Sequence, residues 1–589
     1  MKKHTEVTVW EDRIERSEKL RKKKIKETKV YIDFYKGAQW GDVKYPFGYK
    51  PTINLFFPHI KTQIPSLYFQ NPKWYVKPYG NVTDELKQAS QLAQSYLNHY
   101  IATKMNRKLK MQIRLAITDA HFWFGAVKSG YFADFETNEN FGKPKIIGND
   151  GETPIYDLDK KTGDYKLDGD KEIVKSEKFI VMRKSPASFI FDTECDNYFE
   201  EGRYIIEQIV KPLKDVKKNK IYENTSDLRA SFITKVGVSG LTETDLKSVE
   251  YAELLEDLER VILYEIYDLE NNKLKVIAEG GERFLRNESM PEGIDEHPYS
   301  FLVFNTIPDE IYPLSDLRSL KSIQEDYNMG RAMIMEHAKR FARKYGYLEG
   351  AIEEDELEKL KDPADGTLFK VKDMPLSKII EPLQDAPLDP SVYANFEQSK
   401  QDFREVGGST ESERGVVERR KTAYEASKIN EGVGLRKADR RSLVEDFMAD
   451  AGYRLLLSMQ TNLSQEDQVD MGGNWTEVTR DKIKGKMSVI VEVGSCAPKI
   501  PEFERQDIVT LAQVLPMFPP EIIQVKLNFD GLITSLARSF DTLEASELLN
   551  TPEVQKQKQD QIDKMKQVEL AIKGGIDKPK GGGGQNAPV

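Results

Sequence analysis

The segment 315–344 carries an apolar side chain at every seventh position. These four side chains are Leu320, Tyr327, Ile334 and Phe341. An α-helix completes two turns in about seven residues, so the four side chains form one stripe along a single long helix. Ser315 follows Pro313 as a suitable N-cap, and Lys and Arg side chains at the far end complement the negative helix terminus. The pattern predicts a long helix that packs one face against a neighbour.

A second helix is predicted from Asp389-Pro390 to Gly407-Gly408. Aspartate is a preferred N-cap, proline fits the first helical position, and glycine commonly ends helices. The apolar side chains that share one face of this helix are Val392, Phe396 and Phe403. The segment 346–388 between the two helices holds eleven Asp or Glu and five Lys, and 11 − 5 gives a net charge of −6. The sequence therefore predicts two helices that bracket a small acidic module.

The segment 409–421 is too highly charged to enter a core and is predicted to be an exposed loop. Its charged residues are Glu411, Glu413, Arg414, Glu418, Arg419, Arg420 and Lys421. A long helix follows, in which apolar side chains recur every four residues at Leu443, Phe447, Ala451, Leu455 and Met459. Gly432 and Gly434 each cost about 1 kcal/mol relative to alanine, which predicts a kink or break in its first half.

The part of the chain before residue 313 mixes helical and strand patterns. Residues 1–30 hold eleven Lys or Arg against six Asp or Glu and predict an exposed charged helix. That helix is either an arm for DNA or a partner, or a solvated chain end. Aromatic and turn-forming residues predict an irregular but packed stretch at 35–72, and spacings near four predict a helix over 84–119. Turn signals at 136–178 predict hairpins.

Strands and helices also alternate in the remaining segments, so the predicted fold class is α+β. The predicted strands lie at 131–135, 189–192, 204–210, 261–269, 273–278 and 487–493. A helical cluster with intervening prolines is predicted over 502–549. The Gln/Lys-rich and then Gly-rich end from Thr551 predicts a flexible tail.

The composition limits the possible functions. The formal charge is −10 and the pI is near 5.5, whereas proteins that grip DNA phosphates usually carry a basic domain. An acidic surface also suits a conduit along which DNA slides without adhering. Cys195 and Cys496 are far apart and outside any Cys/His cluster, which predicts two buried, reduced thiols. A charged N-terminus without a signal-type apolar core predicts a cytoplasmic product, and no apolar run is long enough for a membrane span.

Sequence motifs for catalysis are missing. The chain has no GxxxxGK[ST] phosphate loop, no GxGxxG after a strand, no HExxH pair and no GxSxG elbow. The acidic pairs Asp157/Asp159 and Asp168/Asp170 lack the spacing of a calcium loop and are better explained as turns. The prediction is that the protein is not an enzyme and has no catalytic residue, no cofactor and no metal site.

The order of these segments resembles that of the portal proteins of tailed bacteriophages, the head-to-tail connectors, over about residues 30–550. Six local sequences carry the resemblance. They are Tyr35-Lys-Gly37-Ala-Gln39-Trp40, Asn54 through Asn71-Pro72, Phe189 to Asp196, Pro298-Tyr299, Pro308 through Pro313 with Gln324 and Asn328, and Val406-Gly-Gly408 leading to Thr422-Ala423-Tyr424-Glu425-Ala426.

The resemblance implies a portal-like fold with long central helices, a mixed α/β wing, a small α/β clip and a helical crown. It places the wing at 1–313, with a hairpin-rich insert at about 136–178 that has no clear family counterpart, and stem helices at 314–345 and 389–407. It places the clip at 346–388, the tunnel loop at 408–422, a long helix that returns to the wing at 423–500, the crown at 501–550 and a flexible C-terminal tail at 551–589.

The resemblance also implies a function and partners. Such a protein forms a ring, usually dodecameric, at one capsid vertex of the virion after assembly in the host cytoplasm. The implied partners are further copies of itself, the major capsid protein, the terminase large subunit, neck or adaptor proteins, and double-stranded DNA held without sequence specificity. The tunnel-loop charges would face DNA, and the clip residues Glu353, Glu354 and Glu356 would dock partners. The alternatives are another head-tail connector or adaptor ring, and a metal-dependent nuclease.

Overall fold

The computed structural model describes most of the chain before residue 497. The described residues are 5–41, 48–138, 140–144, 146–150, 153–156, 165, 172–195, 199–233, 258–340, 345–350, 352–361, 380–382, 388–408, 423–464, 467–470, 475–492 and 494–496, with isolated positions at 510, 511 and 513. The chain divides into two units, Met1–Ala497 and Pro498–Val589, and the second contains only the isolated described positions.

The first helix, α1 (Glu6–Lys36), is present where a charged helix was predicted, but the prediction that it is exposed was wrong for one face. Val7, Trp10 and Ile14 are buried against a β-sheet described below. Apolar side chains at these spacings lie on one side of a helix, so charge on the other side does not prevent docking. The helix ends at Gly37, whose positive φ of +93° suits glycine.

Three further helices form the centre of the main core. The helix α2 (Phe56–Leu67) lies within the stretch 35–72 that was predicted to be irregular, and it accommodates Pro65. The helix α3 (Asp84–Tyr100) is capped by the Thr83 hydroxyl, which accepts from the backbone N–H of Leu86. A five-residue π-helical turn (Ile101–Met105) joins α3 to α4 (Asn106–Phe122), in agreement with the predicted helix at 84–119.

A three-stranded antiparallel sheet lies against α4. Its order is β12-β2-β5, formed by β2 (Gly125–Thr137), β5 (Glu172–Arg183) and β12 (Tyr299–Leu302). Between β2 and β5 the chain forms the hairpin of β3 (Ile146–Asp150) and β4 (Thr153–Tyr156), inside the segment where hairpins were predicted.

A six-stranded antiparallel sheet supports α1. It has the order β11-β10-β9-β7-β6, and β8 pairs with β9 off this path. Its strands are β6 (Phe189–Phe191), β7 (Tyr204–Pro212), β8 (Phe232–Ile233), β9 (Glu259–Asp268), β10 (Lys273–Ala278) and β11 (Phe284–Ser289), with the short helix α5 (Leu213–Lys218) after β7. The β9–β10 hairpin turns at Asn272, an asparagine with a positive φ of +51°.

Two long helices follow with a small module between them. The helix α6 (Arg318–Arg340) begins three residues after the predicted N-cap Ser315. The hydroxyl of Ser315 accepts from the N–H of Leu317 over 3.2 Å, as expected of an N-cap, and donates to the carbonyl of His121. The described parts of the module are the antiparallel pair β13 (Tyr345–Tyr347) and β14 (Ile380–Pro382) and the helix α7 (Glu354–Lys361). The helix α8 (Pro390–Val406) is capped by Asp389 and ends at Gly407, as predicted.

The last long helix, α9 (Ala423–Asn462), is continuous through Gly432 and Gly434, so the predicted break is absent. The strands β15 (Asp467–Asp470) and β16 (Trp475–Val478) form a hairpin, and β17 (Met487–Val491) pairs with β1 (Trp74–Pro78). Cys195 is half-buried and Cys496 is buried, and neither forms a disulfide. The predicted tail from Thr551 lies outside the described residues, as does the predicted helical cluster at 502–549 apart from three positions.

The α9 helix packs closely on β1. The indole Nε1 of Trp74 donates to the carbonyl oxygen of Met448 over 3.0 Å. A Cβ atom at Gly452 would lie 2.4 Å from the same indole nitrogen, so only glycine permits this approach. Val444, Met448 and Leu455 are fully buried beside it in the main core.

Candidate functional site

The α6 and α8 helices pack as a hairpin that leaves the body of the protein and returns to it. The rings of Tyr327 on α6 and Phe396 on α8 stack with centroids 4.4 Å apart. A Cβ atom at Gly330 would be in ordinary contact with the Phe396 ring at 3.5 Å, so the two backbones lie close together. The apolar stripe predicted on α6 therefore faces the apolar stripe predicted on α8 in this region.

The outer surface of the hairpin is open to solvent in the single chain. Phe403 is the one side chain of α8 that is buried, although all seventeen residues of this helix are described. Tyr393 and Val406 are each 51% exposed, and Met333 on α6 is 38% exposed. A helix with apolar side chains on more than one face has surface for a further protein contact.

Two buried amides of α6 fasten the base of this hairpin to the body. Gln324 accepts from the backbone N–H of Leu55 (2.9 Å) and donates to the carbonyl of Ile53 (2.9 Å). Asn328 accepts from the N–H of Ile53 (3.1 Å) and donates to Oε1 of Gln39 (2.6 Å). Buried amides with all these bonds satisfied hold one register, because a shift would leave polar groups unpaired.

The same network continues to the end of α1. Gln39 donates to the carbonyl of Phe34 over 2.9 Å, and Asn54 donates to the carbonyl of Tyr35 over 2.7 Å. Sequence signatures that stand almost 300 positions apart, around Gln39, Asn54, Gln324 and Asn328, are thus brought together at one junction. Their convergence gives those separate local motifs a common structural role.

A charged cluster joins three helices beside this junction. Asp316, just before α6, accepts from Nδ1 of His121 on α4 (2.8 Å) and from both terminal nitrogens of Arg440 on α9 (2.9 Å each). Burial acts to raise the pKa of Asp316, but the His121 hydrogen bond and the Arg440 charge outweigh it and lower the pKa to about 2. The carboxylate is therefore ionised and held by two partners at neutral pH.

The α2 helix connects the two sides of the segment 409–422. His59 on α2 makes an edge-to-face contact with Phe403, with ring centroids 5.8 Å apart, and lies against Gly407 at the end of α8. Gln63, one turn further along α2, hydrogen-bonds to His59 (2.9 Å) and accepts from Arg440 of α9 (2.8 Å). The helices before and after this segment are thus both anchored on α2.

The sequence interpretation did not find His121, Asp316 and Arg440. A histidine within an apolar helical stretch was a weak signal, since nothing local identifies its partner. The predicted tunnel-loop residues Glu411, Glu413, Arg414, Glu418, Arg419, Arg420 and Lys421 lie outside the described residues. The predicted docking residues lie at the start of α7, with Glu353 and Glu354 exposed and Glu356 half-buried.

The described part of the chain was searched for metal-binding clusters and for helices that could span a membrane. Among its His, Cys, Asp and Glu side chains, no group of three or more is arranged to hold a metal ion. None of its helices combines the length and the apolar character that a membrane crossing requires.

Comparison with known proteins gives one strong match. No curated protein matches the chain. The family described as "Phage SU10 portal protein" matches residues 137–574, which include the hairpin-rich insert, the α6–α8 hairpin and α9. Because this match extends over well more than half of the sequence, the chain belongs to the Phage SU10 portal protein family.

Proposed function

We propose that this phage portal protein assembles into a closed ring of about twelve subunits around an axial channel for DNA. Its family is one of structural capsid components rather than enzymes. The observation that carries the proposal is the α6–α8 hairpin, which is anchored by buried amides at its base and exposed along its outer surface. A ring closes through heterologous contacts, so each subunit must offer two different faces, and an exposed hairpin offers both sides to neighbours.

Native mass spectrometry and electron microscopy of the purified protein test the ring. We expect a single closed oligomer with a central hole over a range of salt concentrations. Monomers and dimers alone, at every concentration and salt condition, would contradict the proposal. A head-tail adaptor ring is the alternative, and the position of the protein in the phage head separates the two: a portal sits at one vertex of the capsid.

The ring would carry the subdomains inferred from the resemblance. In this proposal α6 and α8 are the stem, the module at 346–388 is the clip, 408–422 is the tunnel loop, 423–500 returns to the wing, 501–550 is the crown and 551–589 is a flexible tail. A net charge of −6 in each clip would become a strongly acidic collar when repeated around the ring. Such a collar favours basic surfaces of the terminase and of neck proteins and discourages adhesion of DNA.

The clip is proposed to dock these partners through Glu353, Glu354 and Glu356, at the start of α7. Reversal of the three charges to lysine should weaken binding of the terminase and leave the ring intact. Binding is measured by co-sedimentation with purified rings, and unchanged binding would move the docking site elsewhere.

The tunnel loop is proposed to contact DNA in the narrowest part of the channel, since its ends are set by α8 and α9 on the same body. Shortening of the loop between Ser409 and Val417 should leave rings intact and change DNA packaging or retention. Normal packaging and retention would defeat this role, and loss of rings would place the loop at the subunit interface.

We propose that this chain does not hydrolyse nucleotides and that a separate terminase supplies the force for DNA packaging. Assembly is proposed to take place in the host cytoplasm, next to the major capsid protein.

A further inference from the structure

The helices α2 and α4 lie side by side and run in opposite directions. At one end, Asn71 beyond α2 donates to Oδ1 of Asn106 at the start of α4 over 2.9 Å. At the other end, the Tyr35 ring lies 5.2 Å from that of Phe57 on α2 and 5.3 Å from that of Phe122 on α4. The two helices therefore present a common outward surface.

Large apolar side chains are exposed along this surface. Phe57, Phe69, Met111 and Leu115 are 47%, 43%, 54% and 49% exposed. Phe57 and Lys61 lie one turn apart on α2, Phe69 lies two residues beyond its end, and Arg107, Met111 and Leu115 follow intervals of four along one side of α4. The surface formed by these six residues is called the α2–α4 face. An apolar surface of this kind on a folded chain commonly marks a protein contact.

The α2–α4 face is also basic. The helices α2 and α4 contain five Lys or Arg and one acidic residue, Asp119, which is paired with Arg183. Lys61 and Arg107 belong to the face, and Lys108 and Lys110 are next to it on α4. The ammonium groups of Lys61 and Lys110 lie 5.6 and 5.1 Å from the rings of Phe57 and Phe69. The exposed rings and the positive charges are therefore interleaved.

The exposed apolar side chains of the α2–α4 face favour a protein rather than DNA as its binding partner. A duplex offers phosphates to basic side chains but would leave Met111, Leu115 and the two phenylalanines largely in contact with water or charge. A protein surface that is both apolar and acidic would satisfy the rings and the charges together.

The same chain carries such a surface on the distal part of the β2–β5 pair. Phe132 on β2 and Ile173 on β5 are 63% and 41% exposed and lie on one face of the pair, whereas Phe135, 59% exposed, lies on the other face. Asp134 and Glu136 on β2 share the face of Phe132 and are exposed. Glu136 is paired with Lys175 over 3.2 Å and Lys178 stands opposite Phe132, so residues 131–137 and 172–178 carry four acidic and two basic side chains and remain net acidic. This region, called the β2–β5 arm, leads into the hairpin-rich insert, which lies within the residues that the family match covers.

We propose that the α2–α4 face of one subunit binds the β2–β5 arm of a neighbouring copy. The proposal rests on the proposed ring, because a closed ring is the arrangement in which every copy offers one face and receives another. Charge complementarity and exposed apolar side chains on both sides select these two surfaces. They differ from the α6–α8 hairpin, so the contact would be a second point of attachment between subunits.

Charge reversal in the full chain tests the contact. Lys61→Glu with Arg107→Glu reverses the face at two exposed positions, and Asp134→Lys with Glu136→Lys reverses the arm. Each double variant should assemble about tenfold less well than the native chain, as judged by native mass spectrometry over a concentration series. The chain that combines all four substitutions should recover assembly, because the two reversed surfaces again have opposite charges.

The matched control is Lys23→Glu with Lys26→Glu, which makes the same charge change on exposed positions of α1. It should leave assembly unchanged. Unchanged assembly of the face or arm variants would overturn the proposal, and so would failure of the combined chain to recover. Intact rings of the face variant that no longer retain DNA would assign the face to DNA and overturn it as well.

A disulfide cross-link tests the same contact between subunits if the charge-reversed variants fold poorly or the native chain forms no ring. Met111→Cys and Phe132→Cys place thiols at exposed positions in two separate preparations. After mixing and mild oxidation, a disulfide-linked dimer that contains one chain of each kind supports the contact. Each single variant alone is the control for the native cysteines. Absence of the mixed dimer overturns the contact, whereas absence of native rings alone bears on the proposed function.

Discussion

Replacement of Asp316 by asparagine tests the charged cluster at the base of the α6–α8 hairpin. The carboxylate has 5% side-chain exposure and binds Arg440 and His121. The ordinary pKa of aspartate is 3.8 and that of Asp316 is about 2, so the ionised form contributes about 2 kcal/mol to the free energy of unfolding. Because the folded pKa is depressed, this contribution is complete above about pH 4 and is lost as the pH falls toward 2.

We expect Asp316→Asn to lower the free energy of unfolding by about 2 kcal/mol at pH 7, and the difference from the native chain to shrink between pH 4 and pH 2. Urea unfolding followed by circular dichroism measures this, at one fixed subunit concentration because assembly itself adds stability. Asp326→Asn, an exposed position on the same helix, is the matched control. Equal unfolding midpoints for the two variants at pH 7, or a difference that does not change with pH, would refute the reasoning.

The other predictions concern close packing and buried amides. Gln324→Leu should cost about 2 to 4 kcal/mol in the free energy of unfolding, because two backbone groups in the segment 53–55 lose their partner; an unchanged urea midpoint would contradict this. Gly452→Ala should cost about 1 to 3 kcal/mol because its Cβ would collide with the Trp74 indole. Gly130→Ala, where the nearest side-chain atom is 3.9 Å away, should cost less, and equal thermal shifts for the two alanines would count against the packing argument.

The long helices were predictable because the spacing of their apolar residues and their capping residues are visible within each segment. The stripe through Leu320 and Tyr327 and the cap at Asp389 mark α6 and α8 without reference to the rest of the chain. The α2 helix was not predicted, since Pro58 and Pro65 lie in a short aromatic stretch that has turn-forming residues around it. Phe56, Ile60 and Ile64 of α2 are buried in the main core, so tertiary contacts stabilise a helix that local propensity does not favour.

The break predicted at Gly432 and Gly434 also shows the limit of local propensity. Two glycines cost about 2 kcal/mol in a helix, and burial of the apolar side chains of α9 between Val444 and Met459 offsets a penalty of this size. The contacts at the base of the α6–α8 hairpin were harder to predict from the sequence. Gln39 and Asn328 stand 289 positions apart, and one sequence contains no information that pairs two distant polar residues.

The contacts of α2 link the base of the hairpin to the two helices that flank the segment 409–422. His59 contacts the end of α8, while Gln63 is held by Arg440 of α9. Arg440 in turn binds Asp316 at the start of α6, so the helices before and after the segment 409–422 share one ionic and hydrogen-bonded support. If this segment lines a channel, a change in the hairpin can reach the helices on both sides of it through the same few side chains. Asp316→Asn should then alter the tunnel-loop function as well as stability, whereas Asp326→Asn should alter neither.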